Sequence, residues 1–189
     1  MNKIQRTSRY LRWLFTALMA ITPILYIASW CLLPEVVKKD SFLMGLDVVP
    51  RVLGPVISGD IIIQHPLTTM MRLLGLTISL VPLSITLLLY SNLVTLFLMY
   101  ERLNFFNLEN VAVIKRIGFY LLLSELIRPF IEGATTVLLT WQNGPGHRVF
   151  AISLQGYNVA LIITGVMIIL ISWIIAEGHR LNEEQRLTI

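Results

Sequence analysis

The chain is short of nearly everything that catalysis and covalent cross-linking use. One cysteine, Cys31, stands among 189 residues, so no intrachain disulfide can form and no cysteine metal cluster can be assembled. The three histidines, His65, His147 and His179, fall in different connections and lack metal-ligand spacing. No phosphate-binding loop, glycine-rich dinucleotide loop or nucleophile motif is present, and there is no internal repeat or low-complexity tract. No cofactor and no metal is called for, and the expected character is non-enzymatic. Charge is scarce as well: charged residues make up 14% of the chain, against about 25% in a soluble domain.

What is abundant is apolar bulk. Hydrophobic residues are 56% of the chain and the mean hydropathy is +0.74. Such a chain cannot cover its own surface in water, so it reads as an integral membrane protein whose main partner is the lipid bilayer. The expected fold is all-α, a four-helix bundle forming one domain over residues 1–189. Four stretches reach the roughly 20 residues that cross about 30 Å of hydrocarbon: 13–33, 73–99, 117–141 and 150–175. Pro82 removes a backbone donor from the second and is expected to kink it, while Pro66 suits its first turn. Gly75-xxx-Ser79 and Gly156-xxx-Ala160 have the small-residue spacing of close helix approach.

The N-terminus imitates a signal peptide, with Lys3, Arg6, Arg9 and Arg12 ahead of an apolar run. That run continues to Leu33, past the roughly 7–15 apolar residues of a signal peptide. IASWC imitates a lipoprotein cleavage box, but bulky Trp30 stands where a small residue is needed. The segment is expected to remain as an anchor.

The net charge of +4 fits cytoplasmic membrane edges, and no direct nucleic-acid contact is expected from it. One side of the membrane would hold Lys3, Arg6, Arg9, Arg12, Arg102, Lys115, Arg116, Arg180 and Arg186; the other would hold Lys38, Lys39, Arg51, Arg72 and Arg148. The richer side is the cytoplasm, which receives both termini and leaves residues 34–72 outside. Within that external connection VISGDIII suits a short hairpin around Ser-Gly-Asp, and FLMGL suits the membrane surface. In the internal connection Asn107 is placed to cap a helix starting near Leu108, with Glu109 at the positive end of its dipole.

The third span is the anomaly. It reads LLLSELIRPFIEGATTVLLTW over residues 121–141, with three ionisable groups at its centre. On a helical wheel Ser124, Glu125, Arg128, Glu132, Thr135 and Thr136 share an arc of about 120°. Each charge alone costs about 2.5–3.5 kcal/mol at a span centre, so the arc must face protein or a wet cavity. Arg128 is i+3 from Glu125 and i−4 from Glu132, spacings at which side chains meet. Two acids and one base leave a formal charge of about −1, to be relieved by a proton, by water or by a donor on a neighbouring helix. Asn92, at similar depth in the second span, is a candidate partner for Glu125; its own helix backbone is the competing partner. The arc has two readings. It is either a proton, cation or polar-ligand path, or a packing network that fixes helix register around Pro129.

Two further motifs lie on the cytoplasmic side: FNLENV leading into IKRIG, and the terminal AEGHRLNEEQRLTI. Together they resemble a family of bacterial membrane proteins called domain of unknown function 2975. The matching positions are Phe106, Glu109 and Asn110, then Leu181, Glu183, Glu184, Leu187, Thr188 and Ile189. Asn107 departs from the usual Ser or Thr cap, and Arg186 stands where an acid is commoner. The resemblance implies a multi-pass protein of the bacterial cytoplasmic membrane with no assigned activity. It also implies, by analogy, a regulatory or scaffold role holding a small helix-turn-helix protein through those nine residues. The alternative is a small transporter or channel that uses Glu125, Arg128 and Glu132. Four spans are few for a monomeric transporter, so that reading expects a homo-oligomer.

The topology is open to a direct check. A thiol introduced by Pro50→Cys, in a Cys31→Ser background, should react with an impermeant reagent on intact cells. Reaction only after lysis would reverse the orientation.

Overall fold

A computed structural model describes residues 3–36, 67–103, 107–144, 146–152 and 156–186. They form four long helices: α1 (Lys3–Val36), α2 (Thr69–Glu101), α3 (Leu108–Thr140) and α4 (Gly156–Arg186). The VISGDIII and FLMGL stretches, Pro66, Phe106 and the last three residues lie outside the described set. Three helices are long and apolar enough to cross a membrane, over Lys3–Cys31, Thr69–Glu101 and Asn158–Leu181. The helix left out, α3, has the length at 33 residues but carries Glu125, Arg128 and Glu132 mid-helix. The fourth helix begins at Gly156, later than the 150 expected from hydropathy, because Val149 and Ala151 are engaged elsewhere. Both α2 and α3 continue through their internal prolines, Pro82 and Pro129.

The chain divides into two compact units. The first comprises Met1–Met19, Ile85–Glu125 and Gly156–Ile189. Its apolar centre is Leu96 on α2 against Val113 and Ile117 on α3. Phe15 of α1 stacks on Phe97 of α2 with ring centroids 5.7 Å apart, and Tyr90 adds a tilted contact at 6.0 Å. At the end of α2, Glu101 receives Arg9 at 2.7 Å and Arg12 at 3.2 Å. Gln5 donates to the Glu101 carbonyl at 3.3 Å, so one acid ties the start of α1 to the end of α2. Past that end Leu103 adopts φ 61°, the left-handed conformation that stops a helix. Asn107 immediately precedes α3, and its backbone carbonyl, not its side chain, accepts from Asn110 N at 3.0 Å.

Helices α3 and α4 approach most closely at two glycines. A Cβ on Gly118 would stand 2.9 Å from the Gly165 carbonyl oxygen, and one on Gly165 would stand 3.1 Å from the Gly118 oxygen. Neither backbone leaves room for a methyl. Leu122 packs on Gly165, Ile169 on Gly118, and Lys115 lies over the Trp173 ring at 6.0 Å. One index falls as the other rises, so the two helices run antiparallel. The close approach expected at Gly156 and Ala160 is therefore made further along α4, and Ala160 is exposed.

The second unit comprises Ala20–Ser84 and Leu126–Gln155. Its centre is Trp30, 1% exposed, with Leu67, Met71 and Leu139. The indole N–H donates to Ser79 Oγ at 2.8 Å, and the six-membered ring fills the space over Gly75, where any Cβ would collide with it. Gly75-xxx-Ser79 is thus a seat for one tryptophan: the glycine makes room and the serine satisfies the buried N–H.

The glycine crossing generates a sharp expectation. Gly118→Ala should destabilise by about 1–3 kcal/mol, the usual range for overpacking, since the obstacle is rigid backbone. Denaturant unfolding in micelles measures it. A loss within error of zero would mean that α3 and α4 are not held at this spacing.

Candidate functional site

The polar arc of α3 is buried and its opposite face is not. Glu125 is 5% exposed, Glu132 1%, Thr135 1% and Thr136 fully buried; Ser124 and Arg128 are half-buried. On the wheel that starts at Ser124, exposed Phe119, Leu126 and Phe130 fall at about 200–240°, across the helix from the acids. An arrangement with charge inward and phenylalanine outward suits hydrocarbon surroundings and would fail in water.

Helix α4 answers with its own buried seam in the first unit. Asn158, Gly165 and Ser172 are all buried, at 7-residue intervals, while Ile163, Val166, Met167, Leu170, Ile171 and Ile174 are exposed. The side chain of Ser172 donates to Ile169 O at 2.6 Å. Asn158 is 2% exposed, and among the described residues its Oδ1 receives no donor. Its level follows from the glycine crossing. Glu125 lies 7 residues beyond Gly118 on α3, and Asn158 lies 7 residues before Gly165 on the antiparallel α4. Both steps are about 10.5 Å, and both return within about 20° of the same face. The Gly118–Gly165 contact puts Asn158 level with Glu125, while the Leu122–Gly165 and Ile169–Gly118 contacts put it one turn further along α3. The two residues therefore lie within about a turn of each other on the facing sides. Sequence reasoning overlooked Asn158, although a lone amide two turns before a glycine in an apolar helix was a usable signal.

Asn92 on α2 donates its amide N–H to the Leu88 carbonyl at 2.7 Å, so its own helix backbone supplies that partner. No ionisable residue occurs on the adjoining stretches of α2 and α4, residues 85–99 and 158–176, apart from Tyr90.

In the second unit the threonines of the arc have structural duties. Thr135 donates to Ile131 O at 2.7 Å and Thr136 to Gly133 O at 3.0 Å. Their neighbours tie down the chain after the helix: Val149 N donates to Thr140 Oγ1 at 3.0 Å and Ala151 N to Thr136 Oγ1 at 3.2 Å. Phe150 lies against Gly133, Arg148 over Trp141 at 4.9 Å, and Asn143 donates to His147 O at 3.1 Å. Residues 147–151 therefore run along α3, which is why α4 begins late. For these threonines the packing reading accounts for the polarity, and the acids are left to be explained.

The residues suggested for a cytoplasmic partner are dispersed. Glu109 is exposed and Leu181 is 49% exposed, but Asn110 is 2% exposed and belongs to the interior of the first unit. Glu183 and Glu184 lie in the last turns of α4; Phe106, Leu187, Thr188 and Ile189 are outside the described residues. Among the described residues no cluster of three or more His, Cys, Asp or Glu is placed to hold a metal ion.

Residues 57–189 match the family described as protein of unknown function DUF2975. The chain belongs to that family. The match spans 133 of 189 residues and includes α2, α3, α4 and the whole polar arc, with α1 lying before it. With three apolar membrane-length helices, this family member is a bacterial multi-pass membrane protein, consistent with the cytoplasmic membrane. Neither the curated proteins nor the solved structures yield a match.

The charge balance of α3 can be tested by yield. Leaving a buried charge without its counter-charge costs roughly 3–5 kcal/mol, whereas removing the whole set does not. Arg128→Leu should therefore lower the folded yield more than Leu, Leu, Leu at 125, 128 and 132 together. Equal yields would place the arc in water.

Proposed function

We propose that the protein is a small ion-translocating membrane protein, a transporter or channel, whose polar path follows the acidic face of α3. The observation that carries this reading is the burial of Glu125 and Glu132 on a helix that is otherwise apolar and turns phenylalanines outward. Intramembrane acids are expensive and mark ion or proton pathways more often than they act as simple glue. In this reading α3 is the fourth span and both termini are cytoplasmic. The Glu101 clasp and the basic N-terminus stand at the inner edge. No covalent chemistry is assigned, and the working unit is a homo-oligomer, because four helices alone enclose little more than their own side chains.

A second reading draws on α4, which continues as helix to Arg186 past the apolar window ending at Leu181. Its last turns carry an exposed Glu177–Arg180 pair at 2.7 Å and exposed Leu181. Such a helix end suits a cytoplasmic protein, for which a helix-turn-helix regulator is the analogy from the family resemblance.

The two readings separate in one reconstitution. Purified protein in liposomes should pass monovalent cations or protons, and Glu125→Gln and Glu132→Gln should each abolish the flux while leaving the fold intact. Absence of flux from the wild type, together with a co-purifying soluble protein lost on removal of residues 180–189, would replace transport by partner anchoring.

A further inference from the structure

The geometry points to a binding site for one monovalent alkali cation between α3 and α4, with the Glu125 carboxylate and the Asn158 side-chain oxygen as protein ligands. Three independent facts converge on it. Asn158 Oδ1 is a buried acceptor that no donor among the described residues reaches, on a side chain only 2% exposed. Such an atom in an apolar setting costs free energy until a donor or a cation meets it. Glu125, 5% exposed, lies within about one turn of that level on the facing side, since both residues are 7 positions from the Gly118–Gly165 contact on antiparallel helices. Finally, the stretches of α2 and α4 in the same unit as Glu125, residues 85–99 and 158–176, contain no cationic side chain.

Ligand chemistry and charge then select the ion. Carboxylate and amide oxygens are hard donors, which suit alkali and alkaline-earth ions and not thiophilic metals. A single positive charge matches the one carboxylate of the ligand pair. A double charge would leave an excess of the opposite sign buried among Leu122, Gly165 and their apolar neighbours. Sodium or potassium fits; calcium and zinc do not. The site also explains why α4 tolerates an amide where the rest of its seam is glycine and serine.

This inference deepens the transport reading by naming the ion and its binding step, and rests on that reading only for the ion's onward movement. The experiment is the thermal unfolding of full-length protein in nanodiscs, titrated with sodium, potassium or N-methyl-D-glucamine chloride at constant ionic strength. The melting temperature should rise with the logarithm of sodium or potassium concentration and stay flat in the organic cation. Glu125→Gln and Asn158→Leu should both abolish the rise. Asn158→Asp, which retains an oxygen ligand and adds a charge, should keep the rise and move its midpoint to lower concentration. If Glu125→Gln does not fold, the wild-type series and Asn158→Asp decide the matter between them.

A melting temperature indifferent to alkali ions but dependent on pH, with that dependence lost in Glu125→Gln, would overturn the cation in favour of a proton. An Asn158→Asp protein that loses the alkali response would assign the amide a donor role and also overturn the site. A sodium response without flux in liposomes would keep the site and remove the path.

Discussion

The acids and buried amides that this chain carries into its apolar helices must meet protein, because the exposed helix faces are mainly leucine, isoleucine, valine, methionine and aromatic residues. That constraint governs α3 above all. Its acids face inward and Phe119, Leu126 and Phe130 face outward, so the helix has one allowed rotation about its axis. Once α3 is fixed, the partners that touch its polar side must be small or polar themselves. The seam of α4, with Asn158, Gly165 and Ser172, follows from this and not from any preference of α4 for its own sake.

Glycine does the fitting. Where Gly118 meets Gly165, two backbones approach until each carbonyl lies under the other's missing side chain, the geometry that lets membrane helices gain van der Waals contact without a hydrophobic driving force. Gly75 and Gly133 serve differently, by making room for aromatic rings, those of Trp30 and Phe150. The first kind sets register between helices; the second seats a bulky residue. Both are intolerant of a methyl group, but only the first has rigid backbone on either side.

Hydroxyl side chains serve mostly to quiet their own surroundings. Thr77, Thr95 and Thr164 each return a proton to the carbonyl four residues back. Thr136 and Thr140 go further by accepting N–H groups from residues 149 and 151. Outside this hydroxyl set stand the buried acids and amides, Glu125 and Asn158 in the first unit and Glu132 in the second.

The class of protein, the number of long helices, the start of α3 at Leu108 and the inward turn of the α3 acids were legible in the sequence. Hydropathy and a 3.6-residue period act locally, and a buried charge permits few orientations. Burial of the arc was readable; its division of labour was not, since Thr136 and Thr140 take their roles from residues 149–151, nine or more positions away. The partners also had to come from the fold. Asn92 and Asn158 look alike as lone amides in apolar helices, and depth alone favoured Asn92 as the mate of Glu125. Only the antiparallel crossing of Gly118 and Gly165 brings Asn158 within about a turn of Glu125. Likewise Gly75 and Ser79 suggested two helices in close contact, and the fold spends both on Trp30. Sequence periodicity determines which face of a helix is buried; the neighbour that faces it depends on interhelical register, which is set by contacts between residues far apart in the chain.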